Sequence, residues 1–158
     1  MRQSNTAILE SQDLLKSDGC WRLIVFGGNL SENPQLSRVN TLGEKLAAPC
    51  GLLSRYPPII KVLLFHSAPK VSHSELSNCH PTFFLLDKLG YDYERIYSNI
   101  PAEMIGNKLE GKLGDIDGLY GIDSAKGCIV VTRPDQYTGY IGALDNVESL
   151  NIYFGGFS

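Results

Sequence analysis

The sequence predicts an α/β fold with a mixed central sheet and helices on both faces of that sheet. Short apolar runs rich in β-branched residues alternate with segments in which apolar residues recur every three or four positions. Two of these runs, 127–132 and 138–142, are separated only by a short polar connection, as in a β-hairpin. Strand–helix alternation followed by a hairpin and a closing helix is typical of mixed sheets that are covered by helices.

The first half of the chain predicts an extension, a strand and a helix. Residues 1–19 are expected to form an N-terminal extension with a short amphipathic helix over residues 7–15. Residues 21–26 form the first predicted strand of a single domain that spans residues 20–158. Asn33–Pro34 predicts a helix start, because asparagine accepts a hydrogen bond at the N-cap and proline suits the first helical position. Apolar residues then recur along one face of this helix: Leu36, Val39, Leu42 and Leu46.

The middle of the chain predicts two strands and two short helices. Residues 59–65 are an apolar run that predicts a second buried strand, which ends at His66. Residues 81–89 predict a short apolar helix, and residues 91–97 alternate in polarity like a third strand. A further helix is predicted over residues 102–113. It lies in a segment, residues 101–118, that contains several glycines, which disfavour helix.

The hairpin is the most sharply defined part of the sequence. The apolar run Ile129–Val131 predicts a strand covered on both faces. Pro134 has no N–H to donate to a ladder and therefore marks the end of that strand. Asp135–Gln136 is a short polar connection of the kind that reverses the chain, and residues 138–142 predict the second strand.

The last segment predicts a helix with a capping box. Asp145 is the expected N-cap, and Glu148 stands three residues later, where its side chain can reach back to the N-cap amide. An apolar stripe is expected along this helix: Val147, Leu150, Phe154 and Phe157. The order of elements is therefore β-α-β, then α-β-α, then β-β-α, which is the arrangement of a thioredoxin-like fold.

Composition and charge exclude several classes of function. The 158 residues fit one domain with a sizeable core, and 43% of them are hydrophobic. The net charge is −3 and no basic stripe is visible, which argues against a nucleic-acid partner. No apolar run reaches the roughly 18 residues that span a bilayer, and residues 5–16 lack the apolar core of a signal peptide. A cytoplasmic protein that does not bind membranes is expected.

Five short motifs carry a resemblance to a known family. They are Trp21–Leu30, Tyr120-Gly121-Ile122, Arg133-Pro134-Asp135-Gln136-Tyr137, Tyr140-Ile141-Gly142 and Tyr153-Phe154-Gly155-Gly156-Phe157. Together they resemble the C-terminal domain of phenol hydroxylases, which are FAD-dependent aromatic monooxygenases. The resemblance covers roughly residues 20–158. It implies a thioredoxin-like domain that forms a homodimer, without the flavin-bearing part of such enzymes.

The sequence lacks the motifs of redox and cofactor chemistry. Thioredoxin-like redox proteins place Cys-x-x-Cys at a helix start, where the dipole lowers the thiol pKa, whereas residues 27–34 contain no cysteine. They also carry a cis-proline just before the hairpin, and Asp123–Lys126 stands there instead. We therefore expect neither thiol–disulfide oxidoreductase activity nor the activity of an autonomous flavin monooxygenase. The pair Gly27–Gly28 alone does not make the Gly-x-Gly-x-x-Gly turn of a dinucleotide site, and scattered cysteines do not make a zinc site. No cofactor or metal is expected.

Four residues are candidates for catalysis. His66 ends a strand at the edge where α/β sheets usually bind ligands, so it is either a general acid or base or a histidine hydrogen-bonded into its loop. Arg133 and Asp135 either bind an acidic or phenolic ligand or pair with each other to hold the hairpin. Tyr137, like Tyr140, either presents its hydroxyl to an aromatic substrate or lies half-buried at an interface.

Two functional hypotheses of different classes remain. The first is a stand-alone, redox-inactive copy of the phenol hydroxylase C-terminal domain that self-associates or docks to a flavin-dependent monooxygenase of aromatic or polyketide secondary metabolism. The second is a small cofactor-independent isomerase, cyclase or lyase that acts on an aromatic or polyketide-like metabolite. That enzyme would use a pocket between the sheet and the loop over residues 67–80, with His66 or a tyrosine as its acid or base.

Overall fold

The computed structural model describes residues 2–3, 18–67, 77–86, 90–91, 96–98, 121–123 and 125–157. The strands in these ranges are β1 (Arg2–Gln3), β2 (Trp21–Phe26), β3 (Ile60–His66), β4 (Leu85–Leu86), β5 (Gly90–Tyr91), β6 (Ile96–Ser98), β7 (Cys128–Thr132) and β8 (Thr138–Gly142). The helices are α1 (Asn33–Ala47), α2 (Leu52–Arg55) and α3 (Val147–Gly155), with a single 3₁₀ turn at Pro81–Phe83. None of the described helices is long and apolar enough to cross a bilayer.

Six of the strands form one mixed sheet in the order β1-β6-β3-β2-β7-β8. Strand β2 runs parallel to β3, and β3 runs parallel to β6. Strand β7 is antiparallel to β2, and β8 is antiparallel to β7. The predicted α/β class and mixed sheet are confirmed, and the order β3-β2-β7-β8 is the one expected of a thioredoxin-like fold.

One face of the sheet carries the main core and both of the longer helices. Side chains alternate along β2, so Leu23 and Val25 point to this helical face. The helices α1 and α3 bury their apolar stripes against it: Val39, Leu42, Leu46, Val147, Leu150 and Phe154. Burying apolar stripes of this kind is what stabilises short helices, which are marginal on their own.

The second face of the sheet carries a smaller cluster. The rings of Phe26, Phe65 and Tyr97 stack across three neighbouring strands, with centroids 5.3 and 5.1 Å apart. The sequence predicted helices on both faces, and the longer helices that the structure describes, α1 and α3, lie on the helical face. The helix predicted over 102–113 lies outside the described residues.

Both predicted helix starts need correction by one residue. Helix α1 begins at Asn33 with Glu32 as its N-cap, and no side chain caps it. Helix α3 is capped by Asn146, whose Oδ1 accepts a hydrogen bond of 3.1 Å from the Ser149 amide. Asp145 was the wrong residue for this role, because its carboxylate binds Arg38 of α1 at 2.8 Å instead.

Three further predictions differ from the structure. The helix predicted over 81–89 is wrong at Leu85–Leu86, because these residues form β4 and pair with β5, and residues 87–89 lie outside the described residues. The single strand predicted over 91–97 is two strands, since β5 ends at Tyr91 and β6 begins at Ile96. Phe157 lies beyond α3 and is exposed, so it does not belong to the buried stripe of that helix.

The N-terminal residues contribute to the sheet, which the sequence did not indicate. Arg2 pairs with Ser98, and Gln3 pairs with Tyr97, at the edge of the sheet farthest from β8. The amphipathic helix predicted over residues 7–15 lies outside the described residues.

Candidate functional site

The hairpin turn that joins β7 to β8 is built by its own backbone. The Gln136 amide donates to the Arg133 carbonyl at 2.9 Å, and the Arg133 amide donates to the Tyr137 carbonyl at 2.8 Å. Pro134 fits inside this turn, because its fixed φ suits the position and no hydrogen bond is needed from its nitrogen. Gln136 has a φ of 69°, a left-handed conformation that is uncommon for a residue with a side chain.

Arg133 and Asp135 pair with each other in this turn. The guanidinium Nη2 of Arg133 lies 2.7 Å from Asp135 Oδ2, and Asp135 Oδ1 accepts a bond of 3.3 Å from the Tyr137 amide. Both carboxylate oxygens of Asp135 therefore have partners within the turn. This arrangement matches the alternative in which Arg133 and Asp135 pair with each other to hold the hairpin. The Tyr137 ring is 74% exposed.

A cluster of aromatic rings lies beside the hairpin on the helical face. Tyr153 of α3 contacts Tyr140, Trp21 and Phe157, with ring centroids 5.4, 6.2 and 5.1 Å apart. The hydroxyl of Tyr153 reaches the backbone of Gly139, where a Cβ would collide with it. Gly139 occupies the register shift between β7 and β8, because Thr132 pairs with Thr138 and Val131 pairs with Tyr140.

Tyr153 is a site residue that the sequence analysis did not single out. Burial raises the pKa of its phenol, while Arg133 lowers this pKa and Asp135 raises it through their charges. The phenol therefore stays protonated and sits within the electrostatic field of the turn pair. Its place in the motif Tyr153–Phe157 was visible in the sequence, but the ring contact with β8 was not.

His66 is buried at the other end of the sheet. Only 5% of its surface is exposed, and its Nδ1 has no hydrogen-bond partner among the described residues. Burial lowers the pKa of this imidazole to about 4, so the ring is neutral at neutral pH. Among the described residues, Nδ1 does not make the hydrogen bond into the loop that was considered for this histidine.

The structure does not bring the candidate residues together. Thr132, which precedes Arg133, pairs with Arg22 near the start of β2. Phe65, which precedes His66, pairs with Phe26 at the end of β2. Arg133 is therefore level with Trp21 and His66 with Gly27, and at about 3.3 Å per residue these levels are about 20 Å apart along the strand direction. The hairpin residues and His66 cannot act on the same bond of a small substrate.

An open cleft of about 520 Å³ lies between the end of α1 and the start of α3. Its lining is mixed and includes the polar and charged residues Lys45, Asp145, Glu148 and Asn151. None of the four candidate residues lines this cleft. Asp145 is already bound by Arg38, which also holds the pKa of this carboxyl below its ordinary value.

The cysteines are single thiols rather than a redox pair. All four are free of disulfide bonds, and the connection from β2 to α1 contains none of them. Cys79 is buried, and burial raises its pKa to about 11, which disfavours the reactive thiolate.

Strand β8 and helix α3 leave a group of large apolar side chains exposed. We call these residues the edge surface: Tyr137, Ile141, Ile152 and Phe157. Ile141 lies on the edge strand itself and is 68% exposed, and Ile152 lies on the outward side of α3. Single exposed apolar residues are ordinary, and these lie on both sides of the sheet: Ile141 is on the second face, beside Val130, whereas Ile152 and Phe157 belong to the helical face.

Comparison with known proteins points to one family. A profile of the phenol hydroxylase C-terminal dimerisation domain matches residues 1–158. The chain is 33% identical over 144 residues to the FAD-dependent monooxygenase ankC of Aspergillus thermomutatus, a match that covers 90% of this chain and 22% of that protein. It is 28% identical to the phenol 2-monooxygenase fsqG of Aspergillus fumigatus, over 99% of this chain and 25% of that protein. It is 30% identical to the 3-hydroxybenzoate 4-monooxygenase of Comamonas testosteroni, over 99% of this chain and 25% of that protein. The chain therefore spans about a quarter of the length of these relatives.

Proposed function

Because the chain belongs to the phenol hydroxylase C-terminal dimerisation domain family, we propose that it acts as a redox-inactive association domain. Its first partner is a second copy of the same chain. The observation that supports this most directly is the edge surface, where four large apolar side chains stay in contact with water. Covering apolar area of this kind is the main favourable term in protein association.

The thiols support the redox-inactive part of the proposal. A thiol–disulfide oxidoreductase of this fold needs a low-pKa thiolate at the start of the helix that follows the first central strand. Here that helix is α1, and the residues that lead into it are Gly27, Gly28 and Asn29. The buried Cys79 has a raised pKa, which is the opposite of what a nucleophilic cysteine requires.

The wider role that we propose is to serve a flavin-dependent monooxygenase of aromatic or polyketide metabolism. The relatives are named as FAD-dependent, phenol and 3-hydroxybenzoate monooxygenases, and this chain matches about a quarter of each. Association through this domain would hold flavin-bearing parts together in pairs, or would attach the domain to such an enzyme. The alternative, a small cofactor-independent enzyme, would have to work with either His66 or the hairpin residues, because about 20 Å separates them along the strand direction.

Sedimentation equilibrium of the purified 158-residue chain tests the proposal. Measured from about 1 to 100 µM, the mass is expected to rise from the 17.4 kDa of one chain to twice that value. A mass that stays at one chain across this range would remove self-association as the function. Turnover of an aromatic metabolite by the isolated chain would instead favour the enzyme.

A further inference from the structure

We propose that the second copy binds by pairing its β8 with β8 of the first, antiparallel and about a two-fold axis, so that the two sheets become one. This inference rests on the proposed self-association and names the surface that carries it. Identical strands pair antiparallel when a two-fold axis stands perpendicular to the sheet between them, which gives the isologous contact most homodimers use. The backbone of each β8 would then bond to its copy, as in strand addition to a free edge.

The first argument is that β8 is an edge strand without a charged residue or a proline. Within the described residues β8 pairs only with β7, and it ends the sheet. Natural edge strands are usually blocked by charged side chains, prolines or β-bulges, or kept very short, and of these devices β8 has the register shift at Gly139 near its start. Strand β8 is five residues long, Thr-Gly-Tyr-Ile-Gly, and has neither a charge nor a proline. The opposite edge, β1, is only two residues long, so it follows the usual rule.

The second argument is a row of aliphatic side chains that crosses the second face of the sheet from strand to strand and ends at β8. Residues paired in neighbouring strands stand side by side on one face. Ile24 pairs with Leu63 on one side and with Val130 on the other, and Val130 pairs with Ile141. Leu63 is buried, Ile24 and Val130 are half-buried, and Ile141 is exposed. The row is therefore covered at its inner end and open at β8.

Pairing about a two-fold axis perpendicular to the sheet would cover the exposed end of this row with the second copy. Such an axis keeps the second face of both copies on the same side, so the two aliphatic rows would meet end to end at the Ile141 side chains. Because β8 has no charged side chain, two copies can approach without like-charge repulsion along the strand.

The third argument concerns area. A stable dimer buries about 800 Å² on each partner, more than a five-residue strand can supply by pairing alone. The remaining area would come from residues beside the strand, such as Tyr137, which directly precedes β8. Tyr153 contacts Tyr140 of β8 and Phe157 beyond α3, and Ile152 precedes it on α3. In the paired assembly the two α3 helices would flank the joined strands.

The substitution Ile141→Lys tests the surface, with Ile59→Lys as a matched control. Both isoleucines are exposed, at 68% and 43%, but Ile59 precedes β3 in the other half of the sheet. Ile141→Lys removes the apolar end of the row and brings two cations together at the axis, so the dimer Kd is expected to rise at least about 30-fold. Ile59→Lys is expected to change this Kd less than about threefold.

Sedimentation equilibrium on the three chains separates the outcomes. A wild-type dimer that Ile141→Lys dissociates and Ile59→Lys does not supports the paired edge. A wild-type dimer that survives Ile141→Lys overturns this surface and leaves the proposed association function standing. A wild type that is monomeric at every concentration overturns both. Circular dichroism checks that both variants are folded.

Amide hydrogen exchange gives a second readout that does not depend on a substitution. Edge pairing predicts that amides of residues 138–142 exchange more slowly at high protein concentration than after dilution, by at least about tenfold. Amides of β2 should not depend on concentration in this way. Equal exchange of the β8 amides at both concentrations, in a protein that dimerises, would overturn the pairing.

Discussion

His66 is a buried polar side chain whose Nδ1 has no hydrogen-bond partner in the described part of the chain. A buried nitrogen that lacks a hydrogen bond costs stability, and a histidine in such a place stays neutral. The pKa of His66 is lowered to about 4 because burial disfavours the imidazolium. Its burial also explains why a position suited to chemistry by topology is poorly placed to meet a substrate.

His66 makes stability depend on pH in a defined window. Below about pH 6.5 the unfolded chain binds a proton at this histidine, and the folded chain does not until the pH approaches about 4. Wild-type stability should therefore fall as the pH drops from about 6.5 to about 4, by up to roughly 3 kcal/mol from this residue. His66→Leu should lack this loss and be at least as stable as the wild type near neutral pH.

Urea unfolding of both proteins at about pH 7.5, 5.5 and 4.5 measures the effect of His66. The difference between variant and wild type should grow as the pH falls. If the free energies of unfolding of the wild type and His66→Leu change with pH in the same way, the pKa of His66 does not differ between the folded and unfolded states.

The hairpin is an element in which one glycine makes room for a distant side chain. Gly139 lies at the register shift of β8, and the Tyr153 hydroxyl fills the place where a Cβ would stand. A shift of this kind bends the strand and increases its twist. The same contact ties α3 to the strand that we propose as the dimer edge.

Gly139→Ala should therefore destabilise the protein by about 1–3 kcal/mol, because the new methyl group collides with the Tyr153 hydroxyl. Adding Tyr153→Phe should recover part of this loss, since the nearest colliding atom is removed. Recovery should be incomplete, because the ring carbon Cζ of Tyr153 and Cγ of Arg133 lie 3.1 and 3.2 Å from the same position.

Denaturant unfolding of the single and double variants measures the coupling between Gly139 and Tyr153. Gly155→Ala is the control, because nothing lies within 4 Å of its Cβ position and alanine suits a helix. Additive losses in the double variant would contradict the contact.

At the scale of the whole molecule, folding and association should be linked. A dimer unfolds to two separate chains, so dilution favours unfolding. With an unfolding entropy typical of a 158-residue chain, each tenfold dilution should lower the Tm of the wild type by about 2 °C. The Tm of Ile141→Lys should not depend on concentration over the range in which that variant is monomeric.

Differential scanning calorimetry at three protein concentrations measures this dependence of Tm. Ile59→Lys is the control and should follow the wild type. A wild-type Tm that is the same at every concentration would argue that the folded chain gains no stability from a partner.

Local pattern in the sequence was sufficient for much of the fold. The strand predicted over residues 21–26 has the same bounds in the structure, and the strand predicted over 59–65 is shifted by one residue. The hairpin was predicted with its turn at Pro134, since proline and the polar residues after it act on the backbone directly. These features depend on neighbours in the chain, which the sequence displays.

Tertiary contacts decided the rest. Arg38 lies 107 residues from Asp145 and binds its carboxylate, so Asn146 caps α3 instead. The pairing of β4 with β5 made a strand of Leu85–Leu86, which were predicted to be helical, because ladder partners can override a short local preference. Which strand becomes the free edge, and how far His66 lies from Arg133, follow from the order of the strands. That order is a property of the packed sheet, because it is set by which faces can be buried together.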